Sequence, residues 1–149
     1  MARRRRRGLD RLPAGQGAAA VIFDERGRVL LVKENYDRRR YSLPGGAVES
    51  GETPLDAVVR ETREETGVEA GNNHLIGIYR LENGFAVHVF RCEILSGTPE
   101  CPATDELSGV GWFPPESVPA PVSNVLHYAL PDALAGVRGV VRDGLPKLT

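Results

Sequence analysis

Long apolar runs are missing from this chain. None approaches the roughly 20 residues that cross a bilayer as a helix, which excludes a helical membrane span. The basic opening passes into Gly8-Leu9-Asp10 instead of an apolar segment, so no secretory signal peptide is read. Cysteine is scarce. Cys92 and Cys101 have no metal-ligand spacing, and without a secretory signal both read as reduced thiols in the cytoplasm. There is no Walker-type phosphate loop and no Gly-x-Ser-x-Gly nucleophile elbow. Gly15-x-Gly17-x-x-Ala20 loosely matches a dinucleotide fingerprint, but it precedes a strand instead of following one and is set aside.

What is present fits one small enzyme-sized domain. A chain of 149 residues buries about 68–70% of its unfolded surface, enough for a true core. No repeat or linker marks a second domain. The net charge is −1, but residues 1–15 hold Arg3 to Arg7 and Arg11 against Asp10, a local +5 that leaves −6 on the rest. A basic arm on an acidic body is suited to RNA or another anionic surface. No aromatics interleave with the arginines to stack on bases, and a solvated, disordered arm over 1–15 is the simpler reading. The domain is expected over 16–136, with a tail from 137 to 149 that carries no firm signal but leaves room for partial order.

The coarse pattern alternates strands and helices. Strands are predicted at 18–23 and 28–33, joined by the turn Asp24-Glu25-Arg26-Gly27, and again at 74–81 and 85–94. Glu82-Asn83-Gly84 between the latter two is a hairpin signal. A short strand ends at Trp112-Phe113. Ser123 caps a helix predicted from Asn124 to about Leu130, where Pro131 should break or restart it. His88 reads as a core or sheet-face residue, and Tyr36, Tyr41, Tyr79 and Phe85 serve equally well for base stacking or packing.

One helix can be derived in detail. Thr53 is a good N-cap, Pro54 suits the first helical position, and Asp56 makes an imperfect capping box. Leu55, Val58, Val59 and Thr62 follow the spacing of a buried stripe, and Gly67 is the expected left-handed stop. Glu61, Glu64 and Glu65 then lie within one turn, beside the apolar stripe. A like-charge i, i+4 pair costs roughly 0.2–0.5 kcal/mol in an isolated helix, and Glu64 and Glu65 also face the negative end of the helix dipole. Arg60 and Arg63 soften that field, so a solvated charged face would account for such a helix on its own. The Gly-rich loop before it, with Gly45, Gly46 and Gly51 and with Glu52 at the helix entrance, favours a hard divalent cation and phosphate chemistry.

This stretch resembles the Nudix box, Gly-x5-Glu-x7-Arg-Glu-U-x-Glu-Glu-x-Gly-U with U a bulky aliphatic residue. Gly46, Glu52, Arg60, Glu61, Glu64, Glu65, Gly67 and Val68 fall on its positions, Thr62 occupies the first aliphatic slot, and Leu43-Pro44-Gly45-Gly46 resembles the family's lead-in. The resemblance implies an α/β/α sandwich around a central mixed sheet. It also implies metal-dependent hydrolysis of a nucleoside diphosphate linked to another group, with Mg²⁺ or Mn²⁺ as cofactor. Glu61, Glu64 and Glu65 would then be side-chain metal ligands, with the Gly46 carbonyl completing the shell. Glu52 would act through water or orient the other acids, and Arg60 would hold a carboxylate in place.

The general base is either Glu61 or Glu106, the latter in a loop six residues before Trp112. Arg38 and Arg40 lie just upstream of the box within reach of a bound phosphate, although a run of loop arginines is ordinarily solvated. Either a monomer or a homodimer fits. A catalytically silent nucleotide-sensing module would use the same fold, but loss of box acids would mark it, and none is lost. The attached group is left open by the box, which reads only the diphosphate; nucleoside triphosphates, ADP-ribose, nucleotide sugars and RNA 5′ ends all remain.

Overall fold

The computed structural model describes residues 15–36, 38–102 and 106–148; the arm at 1–14, which includes Arg3 to Arg7, lies outside them. Eight strands and two helices follow in the order β1 (Gln16–Val21), β2 (Val29–Glu34), β3 (Tyr41–Ser42), β4 (Gly45–Ala47), α1 (Pro54–Thr66), β5 (Glu69–Leu81), β6 (Ala86–Ser96), β7 (Leu107–Phe113), α2 (Asn124–Leu134) and β8 (Val140–Leu145). A five-stranded mixed sheet runs β4-β1-β6-β5-β8 and a three-stranded sheet runs β3-β2-β7. In the larger sheet β1–β4 and β5–β6 are antiparallel, while β1–β6 and β5–β8 are parallel.

Alternation along β1 builds the two layers. Ala19 and Val21 point into one apolar cluster with Val125, Leu126, Ala129 and Leu130 of α2. Ala18 and Ala20 point into the other with Ala57 and Val58 of α1. Side chains of successive strand residues leave opposite faces of a sheet, so the helices cover opposite sides. This is the expected α/β/α sandwich. Among the described residues no helix is long and apolar enough to cross a membrane.

Helix α1 begins and ends where the sequence places it. Thr53 accepts from the Asp56 backbone N–H, the reciprocal capping box is formed, and Gly67 closes the helix at φ 77°. The buried face differs from the predicted one. Leu55 is 43% exposed, because it lies in the first turn before the helix meets the sheet; the buried set is Ala57, Val58, Glu61, Thr62, Glu65 and Thr66. Glu61 and Glu65 therefore share the buried apolar face, at its C-terminal half, while Glu64 lies off it.

Thr62 is fully buried and its hydroxyl has no hydrogen-bond partner. An unsatisfied buried hydroxyl costs about 1–3 kcal/mol, so Thr62→Val, which keeps the β-branched shape, is expected to stabilise the fold by about 1 kcal/mol and raise Tm by about 3 °C. Calorimetric melting that leaves Tm unchanged or lower would show that the hydroxyl is satisfied in solution.

One further expectation needs correction. Helix α2 runs through Pro131 to Leu134. Proline forfeits one backbone bond, and the burial of Ala129, Leu130 and Ala133 against the sheet holds the helix together across it. The tail also contributes a strand, β8, which no apolar alternation announces because it is exposed along most of its length. It is held by pairing with β5 and by a polar clasp. The Tyr79 hydroxyl donates to Asp132 Oδ2 at 2.8 Å, and Arg142 of β8 donates twice to the same carboxylate at 2.7 Å. Those Arg142 bonds hold the Asp132 carboxyl below its usual range, while burial pushes the Tyr79 phenol up.

Candidate active site

Strand β4 and helix α1 bring the box together. Gly45 and Gly46 pair with Ala19 and Ala18 of β1, and both positions lack room for a side chain. A Cβ on Gly45 would sit 2.3 Å from the Ala18 carbonyl oxygen. One on Gly46 would sit 2.5 Å from the Glu61 carboxyl carbon. Gly45 thus lets β4 lie close against β1, and Gly46 leaves the space that the Glu61 carboxylate fills. Glu61 is 5% exposed and Glu65 is 1% exposed, and Glu65 Oε1 accepts from the Gly45 N–H at 2.6 Å.

Arg60 organises the other side. Its Nε and Nη2 donate to the two Glu52 oxygens at 2.7 and 2.8 Å, and Nη2 also reaches the Ala47 carbonyl at 3.1 Å. Its Nη1 donates to Glu61 Oε1 at 2.9 Å and stands 3.4 Å from Glu64 and 3.7 Å from Glu49. One guanidinium thus ties the loop after β4 to the helix and offsets repulsion among four acids. The bond from Arg60 holds the Glu52 carboxyl below its usual range, and the Glu52 contact pushes Arg60 further up.

The donor set suits a hard divalent cation. It consists of carboxylate oxygens with a backbone carbonyl nearby, the ligands that Mg²⁺ and Mn²⁺ favour. Two carboxylates this deeply buried are costly unless cations face them. Glu64 stands apart, on the exposed flank of the helix beside Arg60. Among the described residues no three His, Cys, Asp or Glu side chains stand close enough together to enclose an ion. The buried acids fit a cation, while the complete shell is not preformed.

Glu106 immediately precedes β7, and its carbonyl accepts from the Asn35 N–H at 2.9 Å, which fixes it beside the end of β2. Arg38 is exposed. Arg40 is 8% exposed, and its Nε donates to Glu34 Oε1 at 3.2 Å. Glu34 was not a sequence candidate. It ends β2 with 3% exposure, accepts from the Tyr36 hydroxyl at 3.2 Å, and lines a cavity of about 10 Å³ with Glu65, Gly45 and Leu107. A volume of that size holds about one water. Sequence reading ended this strand at residue 33, which left Glu34, next to Lys33, as one more polar loop residue. Glu49, in contact with Arg60, occupies a variable slot of the box and was missed for that reason.

A family model for the NUDIX domain matches residues 13–133. A MutT-like protein of Streptomyces ambofaciens is 35% identical over 125 residues, covering 83% of this chain and 79% of its own. A putative 8-oxo-dGTP diphosphatase of Bacillus subtilis is 37% identical over 105 residues, covering 70% and 69%. The crystal structure of an ADP-ribose pyrophosphatase from Streptococcus suis superposes with a TM-score of 0.69 at 25% identity, covering 86% of this chain and 97% of that one. The chain belongs to the Nudix family. It is a pyrophosphohydrolase of that family, whose members generally use divalent metal ions.

Proposed function

We propose that this protein hydrolyses a pyrophosphate bond in a nucleoside diphosphate linked to a further group, with Mg²⁺ or Mn²⁺ as cofactor. The observation that carries this reading is the pair of buried acids held against β4, in which the Glu61 carboxylate fills the place a Gly46 side chain would take and the Gly45 N–H donates to Glu65. Glu61, Glu65 and Glu64 would hold the metal, with the Gly46 carbonyl beside them. The bound cation would neutralise pyrophosphate oxygens and lower the pKa of a water. Arg60 would orient Glu52 and Glu61, keeping their oxygens turned toward the cleft. Either Glu61 or Glu106 would take the proton from the attacking water.

Arg40 would reach a substrate phosphate only by leaving Glu34, and Arg38 by turning inward from the exposed loop. The substrate names carried by relatives, 8-oxo-dGTP and ADP-ribose, bracket the class without selecting a member. A nucleotide panel incubated with Mg²⁺, with products identified by phosphorus NMR, tests the reading. Release of a nucleoside monophosphate and a second phosphate fragment is expected. Metal binding without cleavage of any diphosphate would mark a nucleotide-sensing module.

Glu106→Gln is expected to lower kcat about 10-fold or more if this carboxylate accepts the proton. A rate within twofold of wild type, measured under the same Mg²⁺ conditions, would leave Glu61 as the base.

A further inference from the structure

Beside Glu65 lies a second buried acid that the box does not include. Glu34, at the end of β2, and Glu65, in the last turn of α1, line one enclosed space of about 10 Å³, room for a single water. The other polar side chains around it are committed. The Ser42 hydroxyl donates to Ser123 at 2.9 Å, and the Tyr36 hydroxyl donates to Glu34 Oε2 at 3.2 Å. The remaining side chains of the lining are apolar. A water in that space has two hydrogens to give and two carboxylates to receive them. Arg40 Nε donates to Glu34 Oε1 at 3.2 Å, and the pair is 3% and 8% exposed. A buried ion pair is often no more stable than apolar residues of the same volume, so stability alone does not explain this one. Loop closure does not need it either. The Glu34 N–H already donates to the Arg40 carbonyl, and the Asn35 N–H to the Glu106 carbonyl, both at 2.9 Å.

Resting on the pyrophosphohydrolase reading above, we infer that Glu34 is a positioning residue: neutralised by Arg40, it holds a single water against Glu65 and so fixes that carboxylate as a metal ligand. Arg40 is what makes a second acid tolerable here. An uncompensated carboxylate would compete with Glu65 for the same cation and repel substrate phosphates. Paired to a guanidinium, Glu34 adds no net charge to the wall, yet its oxygens still accept from the water. Glu65 is then held twice, by the Gly45 N–H at 2.6 Å and by the water. Its carboxylate cannot swing away from the cleft. Partners that orient a metal ligand in this way typically carry about 10–100-fold of metal affinity.

The test titrates Mn²⁺ into the full chain, a Glu34→Gln variant, and a double variant in which Glu34→Leu and Arg40→Met exchange the ion pair for apolar side chains. Free Mn²⁺ is read from its EPR signal. Glutamine keeps the shape of Glu34 but removes the charge that orders the water. The double variant strands no buried charge, so it should melt within a few degrees of wild type. Both variants are expected to bind Mn²⁺ about 10-fold or more weakly. Turnover by Glu34→Gln should climb back toward wild type as Mg²⁺ is raised, because the ligand is misplaced and not lost.

Mn²⁺ affinity within about twofold of wild type in both variants, well short of the loss an orienting partner causes, would make the pair structural and overturn the inference, whatever the Tm. Retained affinity in the double variant alone would trace the loss to a stranded Arg40 and overturn it as well. A fall in nucleotide KM for Glu34→Gln, with Mn²⁺ affinity unchanged, would show instead that Glu34 keeps Arg40 from the substrate. That result also overturns it. If the Mn²⁺ affinities fall as expected yet the full chain cleaves no diphosphate, the hydrolase reading alone fails.

Discussion

Glu61→Gln is expected to lower kcat by about 10²–10⁴-fold, the range spanned by removal of a positioned proton-transfer group. Glutamine has the same shape, so it fits the space over Gly46, where even a methyl carbon would come within 2.5 Å of the carboxyl group. What it loses is the charge, at a site 5% exposed where water cannot compensate for it. Steady-state kinetics with Mg²⁺ reads the effect, and calorimetry of Mn²⁺ with nucleotide separates its two origins. Weakened metal binding would identify Glu61 as a ligand; unchanged binding with lost turnover would identify the base. A kcat within threefold of wild type would remove Glu61 from the machinery altogether.

Arg60→Gln should act on stability first. It strips the cation that Glu52, Glu61 and Glu64 share, leaving carboxylates crowded in a partly buried site. Removing one partner of a buried ion pair costs about 3–5 kcal/mol. With Arg60 at 22% side-chain exposure, a loss near the lower end, about 3 kcal/mol, corresponds to a fall in Tm of about 9 °C. Saturating Mg²⁺ should restore much of this, because a cation that binds only the folded state stabilises it and supplies the missing positive charge. Melting curves with and without Mg²⁺ check the point. Equal Mg²⁺ increments for variant and wild type would mean that Arg60 does not share its acids with a metal.

Local chemistry was legible in the sequence and long-range meetings were not. Thr53, Pro54 and Gly67 fix both ends of α1 through contacts within a few residues. Asn83 does the same for its hairpin, where its side chain accepts from the Phe85 N–H. The box glycines could be named from their spacing, but their reason, the closeness of Ala18 on one side and Glu61 on the other, requires β1 and α1 to be in place. Glu34 and Arg40 lie six residues apart across a loop, and their pairing depends on how β3 returns against β2. Leu55 satisfied the helical period yet stayed exposed, since periodicity gives a face and does not say how far along the helix the sheet extends. Pro131 shows the reverse case, a local rule outweighed by tertiary burial.

The clasp of Tyr79, Asp132 and Arg142 bears on how the molecule reaches its final form. β5 is an interior strand only because β8, some sixty residues downstream, lies along it, and residues 140–145 fall beyond the stretch matched by the family model. On a ribosome, both helices and seven strands could assemble while that edge of β5 still stood open, with Asp132 waiting for its guanidinium. Closure of the sheet must therefore wait until every element before β8 has been made, and a chain stopped at residue 136 would present a long, unpaired ribbon to its neighbours.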